Sequence, residues 1–148
     1  MSYCLGVAFR LSDEFTIALD IYRTHWSDFW AKGGGGSTSP ITGKPRKESH
    51  VKDTTQVRLG GEYLMVLEKT IVPLRFGLFY DPEPSEKNPD DYFGFSLGTG
   101  IILWNNIILD CAYIYRWGRD VRGDSTAIPS SKVDVDQHQL YVSMIYHF

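Results

Sequence analysis

Three arginines, Arg58, Arg75 and Arg116, and three acids, Asp20, Glu62 and Asp110, sit inside segments that are otherwise apolar. A guanidinium presents a planar fork of donors that fits a carboxylate or phosphate. These side chains therefore suit either capture of an anionic head group or a ladder of ion pairs, and the ladder is the simpler reading, since a partly buried arginine needs a carboxylate or solvent in any case. Trp26, Phe29 and Trp30 could line an apolar groove, although packing within a loop accounts for them equally well. Other chemistry is poorly supported. Thr42-Gly43-Lys44-Pro45 lacks the spacing of a phosphate-binding loop. His25, His50, His138 and His147 have no metal-ligand spacing. Asp134 and Asp136 suit a solvated loop end better than a calcium site. Ser125, Ser130 and Ser131 have no partnered histidine and aspartate. No catalytic group, metal or cofactor is expected, and an enzyme of the barrel lipase or protease kind is the remote alternative.

The elements that must position these residues follow from composition and period. The chain has 148 residues, 43% hydrophobic and 22% charged, enough apolar content for one folded domain. A formal charge of −3 argues against nucleic acid as a partner. Cys4 and Cys111 are too few for a disulfide scaffold. No apolar run reaches the roughly 20 residues of a spanning helix. A mean hydropathy of −0.22 is still compatible with membrane strands, where only alternate residues meet lipid. No signal peptide is visible, so either the chain is cytoplasmic or its front end is missing.

The dominant period is two, the mark of a two-faced strand. Tyr3, Leu5, Val7 and Phe9 alternate with Cys4, Gly6, Ala8 and Arg10, and six further segments behave alike. They begin near Phe15, Val57, Val72, Phe93, Ile107 and Leu140. The polar stretches at about 23–54, 81–91 and 118–135 read as loops. Long loops thus follow the second, fourth and sixth strands, and short turns the first, third and fifth. Outer-membrane barrels sort their connections in this way. Aromatic residues fall into two belts, as at lipid–water boundaries. Tyr3, Tyr80, Phe93, Tyr113, Tyr115 and Trp117 lie towards the long loops, and Phe15, Trp104, Tyr146 and Phe148 towards the short turns. The expected fold is all-β, an antiparallel up-and-down transmembrane barrel, with one face of every strand on lipid and the charged face inside. Cys111 then faces lipid and Cys4 the interior.

Particular segments resemble a known family. Leu140-Tyr141-Val142-Ser143-Met144-Ile145-Tyr146-His147-Phe148 resembles the C-terminal signature of outer-membrane barrels, which the barrel-assembly machinery reads. Tyr22-Arg23-Thr24-His25-Trp26-Ser27-Asp28-Phe29, Val57-Arg58-Leu59-Gly60-Gly61-Glu62-Tyr63 and Pro73-Leu74-Arg75-Phe76-Gly77-Leu78-Phe79-Tyr80-Asp81-Pro82 look like successive strands of the long-chain fatty acid transporter family, the FadL/TodX group. Gly94-Phe95-Ser96-Leu97-Gly98-Thr99-Gly100 and Leu109-Asp110-Cys111-Ala112-Tyr113 are similar to its next hairpin. The resemblance implies the last seven or so strands of a 14-stranded barrel, with the first strands and the N-terminal hatch absent, in a Gram-negative outer membrane. It implies passive uptake of long-chain fatty acids or other hydrophobic solutes, with lipid and lipopolysaccharide as surroundings. Trp26, Phe29, Trp30, Arg58, Glu62, Arg75, Asp110 and Arg116 would line the path. The competing readings are a structural or adhesion barrel whose loops bind partners, and a soluble lipid-binding barrel with its apolar face inside.

Overall fold

The computed structural model describes residues 1–34, 36–85, 89–103, 106–122 and 132–147. The alternating segments become β1 (Ser2–Arg10), β2 (Phe15–Thr24), β5 (Thr54–Leu67), β6 (Thr70–Tyr80), β7 (Tyr92–Leu103), β8 (Ile107–Arg122) and β9 (Lys132–Tyr146). Between β2 and β5 lie one 3-10 turn (Trp26–Asp28) and the short strands β3 (Ala31–Gly33) and β4 (Gly36–Thr38). The seven long strands form one sheet in the order β1-β2-β5-β6-β7-β8-β9, each antiparallel to its neighbours, so the sheet is a plain up-and-down meander. β3 and β4 pair separately. The sheet is not closed on itself: β1 and β9 are its two edges.

Short and long connections fall at opposite ends. The Ser12 hydroxyl accepts the Glu14 and Phe15 N–H groups at 3.2 and 3.1 Å and closes the β1–β2 turn. Glu68 and Lys69 alone join β5 to β6, where Leu67 pairs with Thr70. At the other end run the connections 25–53 and 81–91. Pro73 marks a break in one ladder. It pairs with Leu64 of β5, but the β6–β7 register begins at Leu74, as expected of a residue with no N–H to give. The Thr70 hydroxyl reaches across to the Ile102 carbonyl at 2.6 Å.

Two boundaries differ from the sequence expectation. The stretch 118–135 is not all loop: β8 runs on to Arg122 and β9 begins at Lys132, with a bulge between Gly118 and Val121. Asp120 takes the left-handed conformation there (φ 54°) that Asp tolerates better than most residues. The stretch 23–54 is also more ordered than its lack of period suggested, because it contains the β3–β4 ribbon.

Register sorts side chains into two sheets of chemistry. One row links Val7, Leu19, Leu59, Leu78, Phe95 and Tyr115; the row next to it links Phe9, Ile17, Gly61, Phe76, Leu97, Tyr113 and Leu140. The opposite face carries Asp20, Arg58, Glu62, Arg75, Asp110 and Arg116. Cys4 lies on the charged face and Cys111 on the apolar one. Among the described residues nothing covers the apolar face. Apart from Pro73 and Pro82, the buried apolar side chains among the described residues are Val51, Tyr92 and Val121, whereas Leu5, Leu78, Leu97, Leu140 and Val142 stand at 54–73% exposure. The accessible surface is 10,560 Å², roughly a third above the ~7,700 Å² expected of a compact 16.9 kDa monomer.

Candidate functional site

The charged face is organised in rows that cross the strands. The first runs Gly6, Asp20, Arg58, Phe79, Gly94, Arg116, Gln137, one residue per strand. The second runs Ala8, Ala18, Gly60, Gly77, Ser96, Ile114, Gln139. The third runs Arg10, Thr16, Glu62, Arg75, Gly98, Ala112, Tyr141. Small residues on four adjacent strands of the second row, Ala18, Gly60, Gly77 and Ser96, leave a hollow of about 600 Å³. It is lined by these together with Ile114 and Gln139 of the same row, by Asp20, Arg58, Phe79, Arg116 and Gln137 of the first, and by Asp81 and Glu83 of the following loop. A volume of this size lies within the range of small-molecule pockets.

The three arginines have different surroundings. Arg75 is clasped from both sides: its Nε donates to Glu62 at 2.7 Å and its Nη1 to Asp110 at 2.8 Å. This part of the expected ladder is present. Arg116 does not pair with Asp110. Its Nη2 donates to Glu83 at 2.7 Å, with Asp81 at 3.8 Å, and its guanidinium lies 3.7 Å from the centre of the Tyr92 ring. Its Nε is buried with no acceptor among the described residues. Arg58 lies opposite Asp20 in register but makes no ion pair with it among the described residues. Asp20 leans over Gly6, where its carboxylate occupies the place a β-carbon would take. Arg58 stacks instead on the Tyr22 ring, 5.2 Å from its centre.

Aromatic rings gather at the long-loop end of the sheet. Tyr80, Phe93 and Trp117 lie side by side on β6, β7 and β8, with ring centres 5.1 and 6.2 Å apart. Tyr115 stacks on Trp117 at 5.4 Å, and Phe95 joins Tyr113 and Tyr115 at 6.2 and 5.7 Å. This patch fills the long-loop half of the apolar face. Tyr3 packs edge-on against His25 at the same end. Tyr146 lies at the other end, opposite Ile107. Trp104 and Phe148 lie outside the described residues. Polar partners border the patch on β9: the Tyr113 hydroxyl meets His138 Nδ1 at 2.7 Å, and Arg119 grips Asp136 with both Nη atoms.

Trp26, Phe29 and Trp30 sit together at the base of the 25–53 loop. Trp26 and Phe29 meet edge-on at 6.4 Å, and Arg46 lies 5.4 Å over Trp30. They are not among the residues lining the hollow. Asp53 fastens this loop: it accepts from the Ser27 hydroxyl at 2.9 Å and the Ser27 N–H at 3.2 Å, and meets His25 at 2.6 Å. Burial works to raise the Asp53 pKa, but those Ser27 bonds and His25 outweigh it and hold the carboxyl below its usual range. Ser27, His25 and Asp53 are not a nucleophilic trio, because the serine bonds to the acid and not to the imidazole.

No family model, curated protein or solved structure matches this chain. Its reading rests on its own geometry.

Glu83, Phe79 and Gln137 line the hollow, and sequence inspection did not single them out as site residues. Phe79 carried a usable signal, since it stands at matching depth to Gly94 on the adjacent strand, and Gly94 is one of the glycines whose row suggests crowding by an inner side chain. Among the described residues no group of three His, Cys, Asp or Glu side chains is placed to hold a metal. No helix is long and apolar enough to cross a membrane, which says nothing of strands.

Proposed function

We propose that this sheet is part of the wall of an outer-membrane β-barrel that passes long-chain fatty acids or other hydrophobic solutes without an energy source. The observation that carries the reading is the uncovered apolar face. Seven strands turn leucine, valine, phenylalanine and tyrosine to one side, and those side chains stay exposed in place of meeting in a core. In water such a face would cost about 25 cal/mol for each Å² of apolar area left wet. Against acyl chains it costs nothing. The strands have 9 to 16 residues, enough for the 9–11 that a tilted strand needs to cross a bilayer. Closing β1 and β9 is obligatory in lipid, because an open edge leaves N–H and C=O groups unpaired at several kcal/mol each. The charged face then becomes the interior, where the hollow supports passage of a solute. Long loops mark the outer side, towards lipopolysaccharide.

The two native cysteines test the orientation. In lipid vesicles, a Cys4→Ser chain keeps only Cys111, and a Cys111→Ser chain keeps only Cys4. A membrane-impermeant maleimide should label Cys4 and leave Cys111 unmodified, while bromine-bearing acyl chains should quench a fluorophore placed at Cys111. Equal aqueous labelling of both cysteines in a folded, vesicle-bound chain would end the membrane reading and favour a soluble barrel with the faces reversed.

A further inference from the structure

We infer that the β3–β4 ribbon in the 25–53 connection binds phosphorylated sugars of lipopolysaccharide through Lys32 and Arg46. The inference rests on the membrane reading above, which turns this connection outwards, and adds a partner and the surface that meets it. Beyond β4 the chain comes back along that strand. Thr38 bridges to Pro45 in antiparallel sense, the Ser39 N–H donates to the Lys44 carbonyl at 2.9 Å, and the Arg46 N–H donates to the Ser37 carbonyl at 3.1 Å. Lys32 of β3 pairs with Ser37 of β4, so Lys32, Ser37 and Arg46 form one row across three segments. Side chains in such a row share a face, and a spacing of about 4.8 Å between neighbours puts Lys32 and Arg46 about 10 Å apart along the backbone. The Arg46 guanidinium lies 5.4 Å over the ring of Trp30, two residues before Lys32 and so on the same face.

Lys32 and Arg46 are exposed, and among the described residues neither meets a carboxylate. Trp30 is itself held, its Nε1 donating to the Ser27 carbonyl at 2.8 Å. A guanidinium stacked on a fixed ring keeps its edge donors for a ligand. The connection carries Lys32, Lys44, Arg46, Lys47 and Lys52 against Asp28, Glu48 and Asp53, in a chain whose formal charge is −3. Asp53 is already engaged by Ser27, His25 and Arg23. A local excess of cations on an otherwise acidic chain favours an anionic partner at that one place. Phosphate suits the row better than carboxylate does. A phosphate monoester carries about −1.5 to −2 at neutral pH, and two separated cations can each meet a phosphate on one sugar chain. Asp81, Glu83, Asp90 and Asp91 make the neighbouring 81–91 connection acidic, which confines the surface to the ribbon.

The test uses the full chain refolded in a neutral detergent. The probe is the water-soluble core oligosaccharide of lipopolysaccharide, freed of its lipid, before and after chemical removal of its phosphates. Binding is read by calorimetric titration at low salt. The phosphorylated sugar should bind, and the dephosphorylated one, which keeps its carboxylates, should bind at least about tenfold more weakly. The double variant Lys32→Gln with Arg46→Gln should lose at least about tenfold, the scale of one charge-assisted hydrogen bond. Arg46→Lys should keep most of the affinity. Lys69→Gln, at the β5–β6 turn on the opposite end of the sheet, should keep all of it. Affinity should fall as salt rises. The proposal is overturned by equal binding of the two sugars, by a double variant that binds like the unaltered chain, by Lys69→Gln losing as much as the double variant, by salt-independent binding, or by a folded chain that binds neither sugar. Cysteine labelling does not involve the ribbon. Shielded Cys111 with failed sugar binding removes the ribbon surface alone, whereas exposed Cys111 removes the membrane reading itself.

Discussion

At the scale of the residue, charge pairing separates side chains that look alike in sequence. Arg75, Arg58 and Arg116 all stand on the charged face of the sheet, yet one is doubly paired, one stacks on a tyrosine and one is tied to a loop. The sequence contained the first arrangement, since Glu62 and Arg75 sit at matching depth on a hairpin joined by two residues. It did not contain the third, because Glu83 lies in a loop with no period to fix its depth. Asp53 is a further case of a residue whose role depends on chain distant in sequence. Its carboxyl, held below the usual range by Ser27 and His25, stabilises the loop base when ionised. A depressed acid contributes its full stabilisation above the pKa of the unfolded chain, about 3.9, and loses it as pH falls through the lower folded value. The Ser27 amide resonance should therefore titrate with a midpoint below that of an unperturbed aspartate. Asp53→Asn should abolish the titration and speed tryptic cleavage between Lys44 and Lys47. A midpoint at or above the ordinary value would show that the anchor does not hold.

At the scale of the element, the long strands were legible because apolar and small residues alternate without a slip for seven or more positions, as in 3–11 and 93–103. A one-residue shift would move every apolar side chain to the charged face, so register is strongly specified. The extensions of β8 and β9 were not legible. Arg119, Asp120, Lys132, Asp134 and Asp136 read as a polar loop, but they pair across the two strands as ions, Arg119 with Asp136 at 2.9 Å and Lys132 with Asp120 at 3.4 Å. The strand pairing there is accompanied by ion pairs between exposed side chains, and such charges have no period to find. The β3–β4 ribbon was hidden for a different reason, since Gly33, Gly34 and Gly36 carry no side chain to alternate. Two glycines in β7 should respond unequally to a methyl group. At Gly94 a β-carbon would meet the Phe79 ring and the Tyr115 carbonyl oxygen at 2.6 Å. At Gly98 its nearest neighbour is the Arg75 β-carbon at 3.5 Å, an ordinary contact. Gly94→Ala should destabilise the folded chain by about 1–3 kcal/mol, the usual cost of overpacking. Gly98→Ala should be close to neutral. Denaturant unfolding in detergent micelles measures both, and equal midpoints for the two variants would contradict the packing of Phe79 across the row.

At the scale of the whole molecule, strand number limits what can close the sheet. With seven strands in an up-and-down order, β1 and β9 run in the same direction, from the long-loop end to the short-turn end. A second copy inserted in the same sense would bring β1 against β9 in parallel at both seams. Turning the copy over restores antiparallel seams, β1 to β1 and β9 to β9, but sends its 25–53 and 81–91 loops through the opposite face of the membrane. Neither arrangement fits an antiparallel wall with all long loops on one side. Closure in the proposed barrel therefore calls for an odd number of further strands whose outer members run opposite to β1 and β9. The chain alone, refolded in neutral detergent or vesicles, should then give no discrete two-chain species with pore conductance. Sedimentation with planar-bilayer recording checks this. A stable dimer that conducts, with trypsin reaching the Lys44–Lys47 segments of both copies from one side only, would mean that parallel seams are tolerated. The strand-parity argument would then be wrong, although the two-faced character of the sheet would stand.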